Sequence, residues 1–354
     1  MDGIDVALLE TDGETVQRRG PSAAFPYSEE FRALLRQAVA DAVGLTYRGE
    51  RIGCLAEAER RLTELHAEAV LDFRRSAPEA ADRIDVIGFH GQTVLHRPDQ
   101  RLTVQLGDGE QLARLTGIDV VYDVRAADVS VGGEGAPLVP AYHGALADRL
   151  PGRPVAFLNI GGVANVTWIG PDTELIAFDT GPGNGLIDDW MLRHTGWAED
   201  TDGKRALSGK VDAAVLRRLL MHPYFAAVPP KSLDRNAFSL AALDGLSVAD
   251  GAATLVAFTA RAVQRAVAHL PEAPKTWVVC GGGRRNPAIM AALAAELDAA
   301  VVPAEMLGLD GSSMEAEAWA FLAVRSLRGL PLTFPMTTGV PTPTTGGVLA
   351  RSKR

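Results

Sequence analysis

The most informative part of this sequence is the stretch Ala177-Phe178-Asp179-Thr180-Gly181-Pro182-Gly183-Asn184. The apolar residues 175–178 predict a buried strand that ends in the carboxylate of Asp179. Gly181 and Gly183 let the backbone approach a ligand closely because they lack a Cβ. Asn184 is predicted to cap the next helix, whose first N–H groups would point toward the same place. This pattern indicates a base beside an anion site; the alternative is an ordinary strand–turn–helix connection in which Asp179 only caps.

Length and composition predict a folded protein of two domains. The chain has 354 residues, of which 47% are hydrophobic and 22% are charged, so it can bury sizeable cores. The net charge of −9 argues against nucleic-acid and anionic-membrane partners. Cys54 and Cys280 form no disulfide or metal pattern, which fits a cytoplasmic protein. No signal peptide and no membrane-spanning run is visible.

Glycine-rich turns follow several predicted strands in the second half of the chain. Gly161-Gly162 joins two strands of a predicted antiparallel meander, residues 155–178. Gly181-Pro182-Gly183 follows the third strand, and Gly281-Gly282-Gly283 follows a fourth. Backbone N–H groups at such turns can hold phosphate oxygens, so three of them together indicate a nucleotide site. The sequence has neither the P-loop nor the Rossmann glycine pattern, which disfavours both of those folds.

Polar residues at other predicted element ends extend the list of candidates. Asp179 is the leading base, and Glu315 opens a predicted helix that begins at Ser313. Two carboxylates beside a sugar would also suit a glycosidase. The alternative for Glu315 is favourable charge at a helix start.

The segment His90-Gly91-Gln92-Thr93 offers polar donors at a strand end. Arg125 is suited to pair with a carboxylate or phosphate. A structural histidine and a surface salt bridge are the alternatives for His90 and Arg125. His90 and His96 are six residues apart, which is not a compact metal pattern, so no protein-held metal site is predicted.

The order of elements predicts two lobes. Three adjacent strands followed by alternating helices and strands begin at Val155, and a weaker copy of that order runs from Ile4 to about Tyr122. We place the N-terminal lobe at residues 1–125 and the second lobe at residues 126–328. The tail, residues 329–354, is expected to pack back on the first lobe. Ligand sites favour the cleft between such domains.

With these segments in hand, the chain resembles the anhydro-N-acetylmuramic acid kinases. These enzymes belong to the actin-like, sugar-kinase and heat-shock chaperone ATPase superfamily. The resemblance covers nearly the whole chain. Its motifs are Gly88-Phe89-His90-Gly91-Gln92-Thr93, Asp123-Val124-Arg125, Gly132-Gly133-Glu134-Gly135-Ala136-Pro137, Asn159-Ile160-Gly161-Gly162-Val163-Ala164-Asn165, Phe178-Asp179-Thr180-Gly181-Pro182-Gly183-Asn184, Cys280-Gly281-Gly282-Gly283 with Asn286, and Glu315-Ala316.

The resemblance implies the fold and the reaction. The fold would be α/β, a two-lobed actin-like ATPase of the ribonuclease H-like type, with mixed sheets and a central cleft. The enzyme would use ATP and Mg²⁺ to open 1,6-anhydro-N-acetylmuramic acid with water and to phosphorylate O6. The product would be N-acetylmuramic acid 6-phosphate, formed during peptidoglycan recycling in the cytoplasm. A homodimer is expected.

The resemblance also implies roles for individual residues. Asp179 would be the catalytic base. The substrate-binding residues would be His90, Gln92, Thr93, Arg125 and Glu315. The nucleotide-binding residues would be Asp2, Gly3, Gly161, Gly162, Asn165, Gly181, Gly183, Asn184, Gly281, Gly282, Gly283 and Asn286. Of these, Gly161, Gly162 and Asn165 would line the phosphates, and the glycines from Gly281 with Asn286 would lie near adenosine.

The sequence departs from the family pattern at its start. The family opens with a strand and a Ser-Gly-Thr-Ser turn, whereas this chain begins at Met1-Asp2-Gly3, in the second half of that element. The first strand and the first phosphate turn are therefore expected to be missing, with residues 4–9 left as an unpaired edge. Two alternative functions stay open: a non-catalytic or impaired ATP-binding protein of the same fold, and a glycoside hydrolase that works without ATP.

Overall fold

The computed structural model describes residues 3–78, 83–150, 152–234 and 237–352. These residues divide into two compact units. Unit one contains the chain up to Leu146 and from Ser313 onward, and unit two is Ala147–Ser312. The chain therefore passes between units at positions that differ from the predicted boundaries, residues 125 and 328. One reason is that the helix beginning at Met314 packs against strands of unit one.

The secondary-structure elements are numbered in chain order. The strands are β1 (Gly3–Thr11), β2 (Val16–Pro26), β3 (Val86–Phe89), β4 (Gln92–Arg97), β5 (Leu102–Leu106), β6 (Asp119–Tyr122), β7 (Val155–Ile160), β8 (Val163–Ile169), β9 (Leu175–Pro182), β10 (Thr276–Cys280), β11 (Ala300–Pro303) and β12 (Val348–Ala350). The α-helices are α1 (Glu29–Ala42), α2 (Leu55–Ser76), α3 (Gly109–Thr116), α4 (Val124–Ser130), α5 (Pro140–Ala147), α6 (Gly185–Thr195), α7 (Lys204–Ser208), α8 (Ala213–Leu220), α9 (Val248–Ala266), α10 (Pro287–Glu296), α11 (Met314–Leu327) and α12 (Pro335–Thr338).

Unit one contains two hairpins and a small mixed sheet. The hairpins are β1–β2 and β4–β5, and the sheet has the order β12-β6-β3, with β3 parallel and β12 antiparallel to β6. Helix α11 packs on both β1 and β3. It approaches β3 closely because Gly88 has no side chain: a Cβ there would lie 2.1 Å from the carbonyl oxygen of Trp319.

A groove of about 1000 Å³ runs between β1 and β3 in unit one. Ala316, Ala320 and Val324 of α11 contribute to its lining. Within the described ranges, β1 pairs only with β2, and β3 pairs only with β6. Among the described residues, β1 is thus an edge strand on the side that faces the groove, and the unpredicted β2 pairs with its other side.

Unit two is built on a five-stranded sheet of order β11-β10-β7-β8-β9. The antiparallel meander β7-β8-β9 is present as predicted. Strand β10 runs parallel to both β7 and β11. Trp168, Trp190, Trp277 and Phe178 are fully buried around this sheet, and α9 packs on β9. The mixed sheets with flanking helices confirm the predicted α/β class.

No helix among the described residues is both long enough and apolar enough to span a membrane.

A buried carboxylate ties together three elements of unit one. Glu317 on α11 is 2% exposed. Arg19 on β2 donates from Nε to both of its oxygens at 3.0 Å. The Tyr142 hydroxyl on α5 donates to Oε2 at 2.5 Å, and the Ser313 hydroxyl donates to Oε1 at 3.2 Å. Burial lowers the pKa of Arg19, but the hydrogen bond and charge of Glu317 more than offset that effect.

We expect Glu317→Gln to lower the free energy of unfolding by about 3 kcal/mol, because it removes the carboxylate charge that the mostly buried Arg19 guanidinium contacts. Chemical denaturation would measure this change. Glu10→Gln is the matched control, since the Glu10–Arg18 pair is exposed and should contribute less than about 0.5 kcal/mol. Equal losses in the two variants would contradict this account of the cluster.

Candidate active site

Asp179 lies on β9 next to an irregularity in the sheet. Across β8 and β9, Asn165 pairs with Asp179, but Ala164 pairs with Gly181, so Thr180 is an extra residue. The Thr180 hydroxyl donates to the Ala164 carbonyl at 3.1 Å, which stabilises this bulge. A bulge bends its strand and changes the direction of nearby side chains. The local fold therefore gives Asp179 an orientation that a regular strand would not.

The Asp179 carboxylate is largely withdrawn from water. Burial raises its pKa from 3.8 to about 6. The backbone N–H of Leu233 donates to Oδ2 at 2.7 Å, which acts in the opposite direction but does not cancel the burial effect. Asp179 therefore ionises near neutral pH while keeping a higher proton affinity than an exposed aspartate, which suits a general base.

Two asparagines continue a polar row from Asp179 across the sheet. Asn165 is directly opposite Asp179, and Asn159 on β7 is directly opposite Asn165. Cross-strand partners project from the same face of a sheet. Asn159, Asn165 and Asp179 therefore share one face, at the strand ends where the glycine turns begin. The sequence predicted Asn165 and Asp179 as site residues but not Asn159.

The glycine turns of unit two meet around Asn184. Its backbone N–H donates to the Gly161 carbonyl at 2.7 Å, and its side-chain Nδ2 donates to the Ile160 carbonyl at 3.2 Å. A Cβ on Gly283 would lie 3.3 Å from Asn184 Oδ1, and one on Gly282 would lie 3.4 Å from Nδ2. The structure thus brings together three predicted turns that are separated by about 20 and 100 residues of sequence.

The predicted role of Asn184 as a helix cap is wrong. Asn184 precedes α6, but its backbone is helical and its side chain makes no capping hydrogen bond. The N–H groups of Gly183 and Gly185 both donate to the Gly162 carbonyl, at 3.0 and 3.1 Å. These N–H groups, with that of Asn184, are therefore engaged inside the turn and do not point at an open anion site.

Gly281 and Asn286 stand at the two ends of the third turn. Gly281 has a φ of +73°, and a Cβ there would lie 2.4 Å from Asn159 Oδ1. Glycine is therefore needed for this turn to sit beside β7. The Asn286 side chain caps α10 by accepting from the Ala288 and Ile289 N–H groups, at 3.0 and 3.4 Å. Contacts of either residue with a nucleotide remain predictions.

In unit one, His90 and Arg125 form a tight polar cluster with Trp319. The His90 ring stacks on Trp319 with centroids 4.4 Å apart. Arg125 Nη2 contacts His90 Nε2 at 3.1 Å, so that nitrogen accepts and the imidazole proton is assigned to Nδ1. Burial and then the Arg125 charge lower the pKa of His90 to about 3, so the ring is neutral. Arg125 Nη1 also donates to the Gly135 carbonyl at 2.6 Å.

Arg125 keeps one unused donor. Its Nε is buried and has no hydrogen-bond partner among the described residues. Burial lowers the pKa of Arg125, and the Glu315 and Asp128 carboxylates act in the opposite direction. Glu315 lines the groove of unit one together with His90 and Gln92. Four predicted substrate residues, Arg125 with these three, therefore lie in one region of unit one.

Thr93 and Gly3 complete the predicted residues that are described in unit one, and Gln92 also bonds within its own segment. The Thr93 hydroxyl accepts from Gln105 Nε2 on β5 at 3.2 Å, so it is engaged within its hairpin. Gln92 Nε2 donates to the Thr93 carbonyl at 3.0 Å. Gly3 pairs with Pro26 on β2 and lines the groove. Asp2 lies outside the described residues.

The described residues contain no cluster of three or more His, Cys, Asp or Glu side chains that could hold a metal ion. Asn159, Asn165 and Asp179 nevertheless offer oxygen atoms along one face. Mg²⁺ accepts such a set, because it keeps several waters and is commonly bound by one carboxylate plus substrate phosphates.

Comparison with known proteins places the chain in a family. The family profile described as anhydro-N-acetylmuramic acid kinase matches residues 1–351. The protein of that name from Agrobacterium fabrum is 55% identical over 358 residues, which cover 99% of this chain and 96% of the relative. The one from Rhodospirillum rubrum is 56% identical over 348 residues, which cover 98% of this chain and 90% of the relative. This chain belongs to the anhydro-N-acetylmuramic acid kinase family.

Solved structures resemble the chain only weakly. A ROK family glucokinase from Streptomyces griseus in complex with glucose and AMPPNP is 14% identical, with a TM-score of 0.34; the match covers 89% of this chain and 95% of that one. Family membership itself rests on the sequence relatives, and it confirms the resemblance seen in the motifs.

In this member of the anhydro-N-acetylmuramic acid kinase family, several residues of the site are not among those predicted from the sequence. Trp319 follows Glu315 by four residues on α11, so helical spacing could have placed both on one face. Asn159 could have been found from the strand register. Leu233, which donates to Asp179, lies 54 residues away in sequence and gives no local signal.

We expect Asp179→Asn to stabilise the protein at pH 7.5, by up to about 3 kcal/mol, and to lose that advantage by pH 4. A raised folded-state pKa means that the folded protein binds the proton more tightly, so the wild type loses stability as pH rises from about 4 to 6. Denaturation of both proteins across this pH range tests the prediction. The exposed Asp172→Asn is the control. An advantage of the same size at both pH values would count against a perturbed Asp179.

Proposed function

We propose that this chain uses ATP to convert 1,6-anhydro-N-acetylmuramic acid into N-acetylmuramic acid 6-phosphate in peptidoglycan recycling. Membership of the anhydro-N-acetylmuramic acid kinase family supports the reaction. The observation that carries the mechanism is the half-buried Asp179 carboxylate, which lies in β9 at the bulge beside the glycine turns and whose pKa is raised by burial to about 6. Neither alternative, a glycoside hydrolase or a non-catalytic ATP-binding protein, has a finding in its favour.

In the proposed reaction, Asp179 accepts a proton from water while the water oxygen forms a bond to C1 of the sugar. The C1–O6 bond breaks, and O6 forms a bond to the γ-phosphorus of ATP as the bond to the ADP oxygen breaks. Positioning and electrostatic stabilisation supply most of the catalysis in phosphoryl transfer. A carboxylate that is fixed and partly desolvated fits the role of base.

Residues of unit two would bind the nucleotide. The turns at Gly161-Gly162, Gly181–Gly183 and Gly281–Gly283 meet at Asn184, which supports a single nucleotide site there. Since the N–H groups of Gly161, Gly183, Asn184 and Gly185 are engaged within the turns, we assign phosphate contact first to Gly162 and Asn165. When bound, Mg²⁺ would neutralise phosphate charge, held by ATP, water and the side-chain oxygen of Asn159.

Residues of unit one would bind the sugar. N-acetylmuramic acid carries a carboxylate and hydroxyl groups, and the guanidinium of Arg125 is a cation suited to pair with such an acceptor. The Glu315 carboxylate would accept from a hydroxyl. His90, held neutral, presents Nδ1–H as a donor, and Gln92 and Thr93 would contribute through the same segment. The cytoplasmic location agrees with the free cysteines Cys54 and Cys280. Assembly as a homodimer stays a prediction.

The main test is ADP release from Mg-ATP with and without 1,6-anhydro-N-acetylmuramic acid. We expect sugar-dependent release, and a loss of at least about 10²-fold in kcat for Asp179→Asn, as for removal of a general base. Asp172→Asn on an exposed turn should retain full activity. Turnover of the sugar without ATP would instead support the hydrolase.

We also propose that the groove between β1 and β3 takes up an extended polypeptide strand, which would carry the Ser-Gly-Thr-Ser turn implied by the resemblance. Both walls of the groove are strands with one unpaired side. The groove of about 1000 Å³ leaves space for an added strand between these walls.

To test the groove, an apolar strand ending in Ser-Gly-Thr-Ser is added before Met1. We expect a higher melting temperature and faster sugar-dependent ADP release, because the added strand pairs with both walls and supplies phosphate donors. The control extension has proline at alternate positions, which removes ladder hydrogen bonds. Identical behaviour of the two extended proteins would exclude strand uptake by the groove.

A further inference from the structure

Asp179 is held at three atoms by one irregular segment, residues 223–233, which we call the strap. The Asp179 N–H donates to the Lys231 carbonyl at 3.2 Å. The Tyr224 hydroxyl donates to the Asp179 carbonyl at 2.5 Å. The Leu233 N–H donates to the carboxylate Oδ2 at 2.7 Å. The strap therefore fixes both the backbone and the side chain of this residue.

The strap occupies the open side of the sheet at this point. Strand β9 is the last in the order β11-β10-β7-β8-β9, so its outer backbone groups have no neighbouring strand in the described ranges. The N–H and the carbonyl of Asp179 both point outward to the strap, which makes Asp179 and Asn165 a pair without mutual backbone hydrogen bonds. Without the strap, the backbone of Asp179 would lie at an unpaired edge.

Lys231 closes the strap on itself. Its ammonium group donates to the Tyr224 carbonyl at 3.2 Å and lies 4.7 Å from the centre of the Tyr224 ring. It also lies 5.7 Å from the Phe178 ring, next to Asp179 in the chain. Phe225 anchors the same segment by packing on Phe258 at a centroid distance of 5.8 Å. The contacts with Asp179 are thus made by a braced loop.

The braced loop has a consequence for the carboxylate. The Leu233 N–H donates a hydrogen bond to Oδ2, whereas Oδ1 accepts no hydrogen bond from the residues that the structure describes. We propose that the strap positions Asp179 for catalysis by directing Oδ1 at the water, and that Tyr224 is the positioning residue that fixes the backbone beneath it. This inference rests on the proposed function, in which Asp179 is the base.

Two variants remove single hydrogen bonds from the strap. Tyr224→Phe removes only the hydroxyl and keeps the ring; we expect kcat to fall roughly tenfold with little change in KM for ATP. Leu233→Pro removes the N–H that opposes the effect of burial on Asp179, so the pKa of Asp179 should rise. Leu233→Ala retains that N–H and is the matched control, and the exposed Tyr47→Phe is the control for Tyr224.

The readouts are the pH profile of kcat/KM and a carbon-13 NMR titration of the Asp179 carboxyl, assigned by its absence in Asp179→Asn. We expect the acid limb and the NMR pKa to move to higher pH in Leu233→Pro but not in Leu233→Ala. Wild-type kcat in Tyr224→Phe, or an unchanged pKa in folded Leu233→Pro, would overturn the proposal. The NMR titration does not require an active enzyme. An inactive wild type would therefore refute the proposed function, whereas the effect of the strap on the pKa of Asp179 would still be tested by NMR.

Discussion

Taking the Asp179 carboxylate out of water is the constraint on which unit two depends. A buried charge is costly unless hydrogen bonds replace its hydration. In the described structure, the Leu233 N–H replaces part of the lost hydration of Asp179. The hydration that is not replaced disfavours the charged carboxylate and raises its pKa to about 6. The bulge at Thr180 and the strap then hold the residue in place at the sheet edge. A sheet edge is the suitable location, because a central strand would have used the backbone groups of Asp179 to pair with its neighbours.

Several glycines of unit two are required by the packing of the protein itself, independently of any ligand. A Cβ on Gly183 would lie 2.3 Å from the Gly161 carbonyl oxygen, and one on Gly281 would lie 2.4 Å from Asn159. The turns at Gly183 and Gly281 therefore need glycine because another part of the chain approaches them closely. This close packing lets the ends of β7, β9 and β10 gather around Asn184. A phosphate site there follows from the convergence of the turns, and a glycine pattern read in isolation gives a weaker indication.

Sequence reasoning succeeds where the signal is local and fails where it is not. The meander β7-β8-β9 follows from apolar runs and glycine turns, but β9 continues past Asp179 to Pro182, so the predicted strand end at Phe178 is wrong. Strand β2 was missed because its sequence, with Pro21 and Arg18-Arg19, lacks an apolar run. Asn184 has the composition of a cap, but the nearby Ile160 carbonyl takes its side chain instead. Pairings such as that of Tyr224 with Asp179 depend on tertiary structure, which no local pattern encodes.

Glu317 is one of the buried carboxylates of the chain, and its comparison with the half-buried Asp179 shows how surroundings separate structural from chemical roles. Glu317 receives a guanidinium, a phenol and a hydroxyl, so its hydrogen-bonding capacity is used and its charge is matched. Among the residues that the structure describes, the Asp179 carboxylate receives one N–H and no cation, so one oxygen and its proton affinity remain available. From sequence alone, Glu317 and Glu315 are two acidic residues in the first turn of one helix, with nothing to distinguish them. Their partners distinguish them: Glu317 holds β2, α5 and α11 together, whereas Glu315 faces the groove near Arg125. An acidic residue is thus a candidate for chemistry when the fold buries it without satisfying it, and Asp179 meets both conditions.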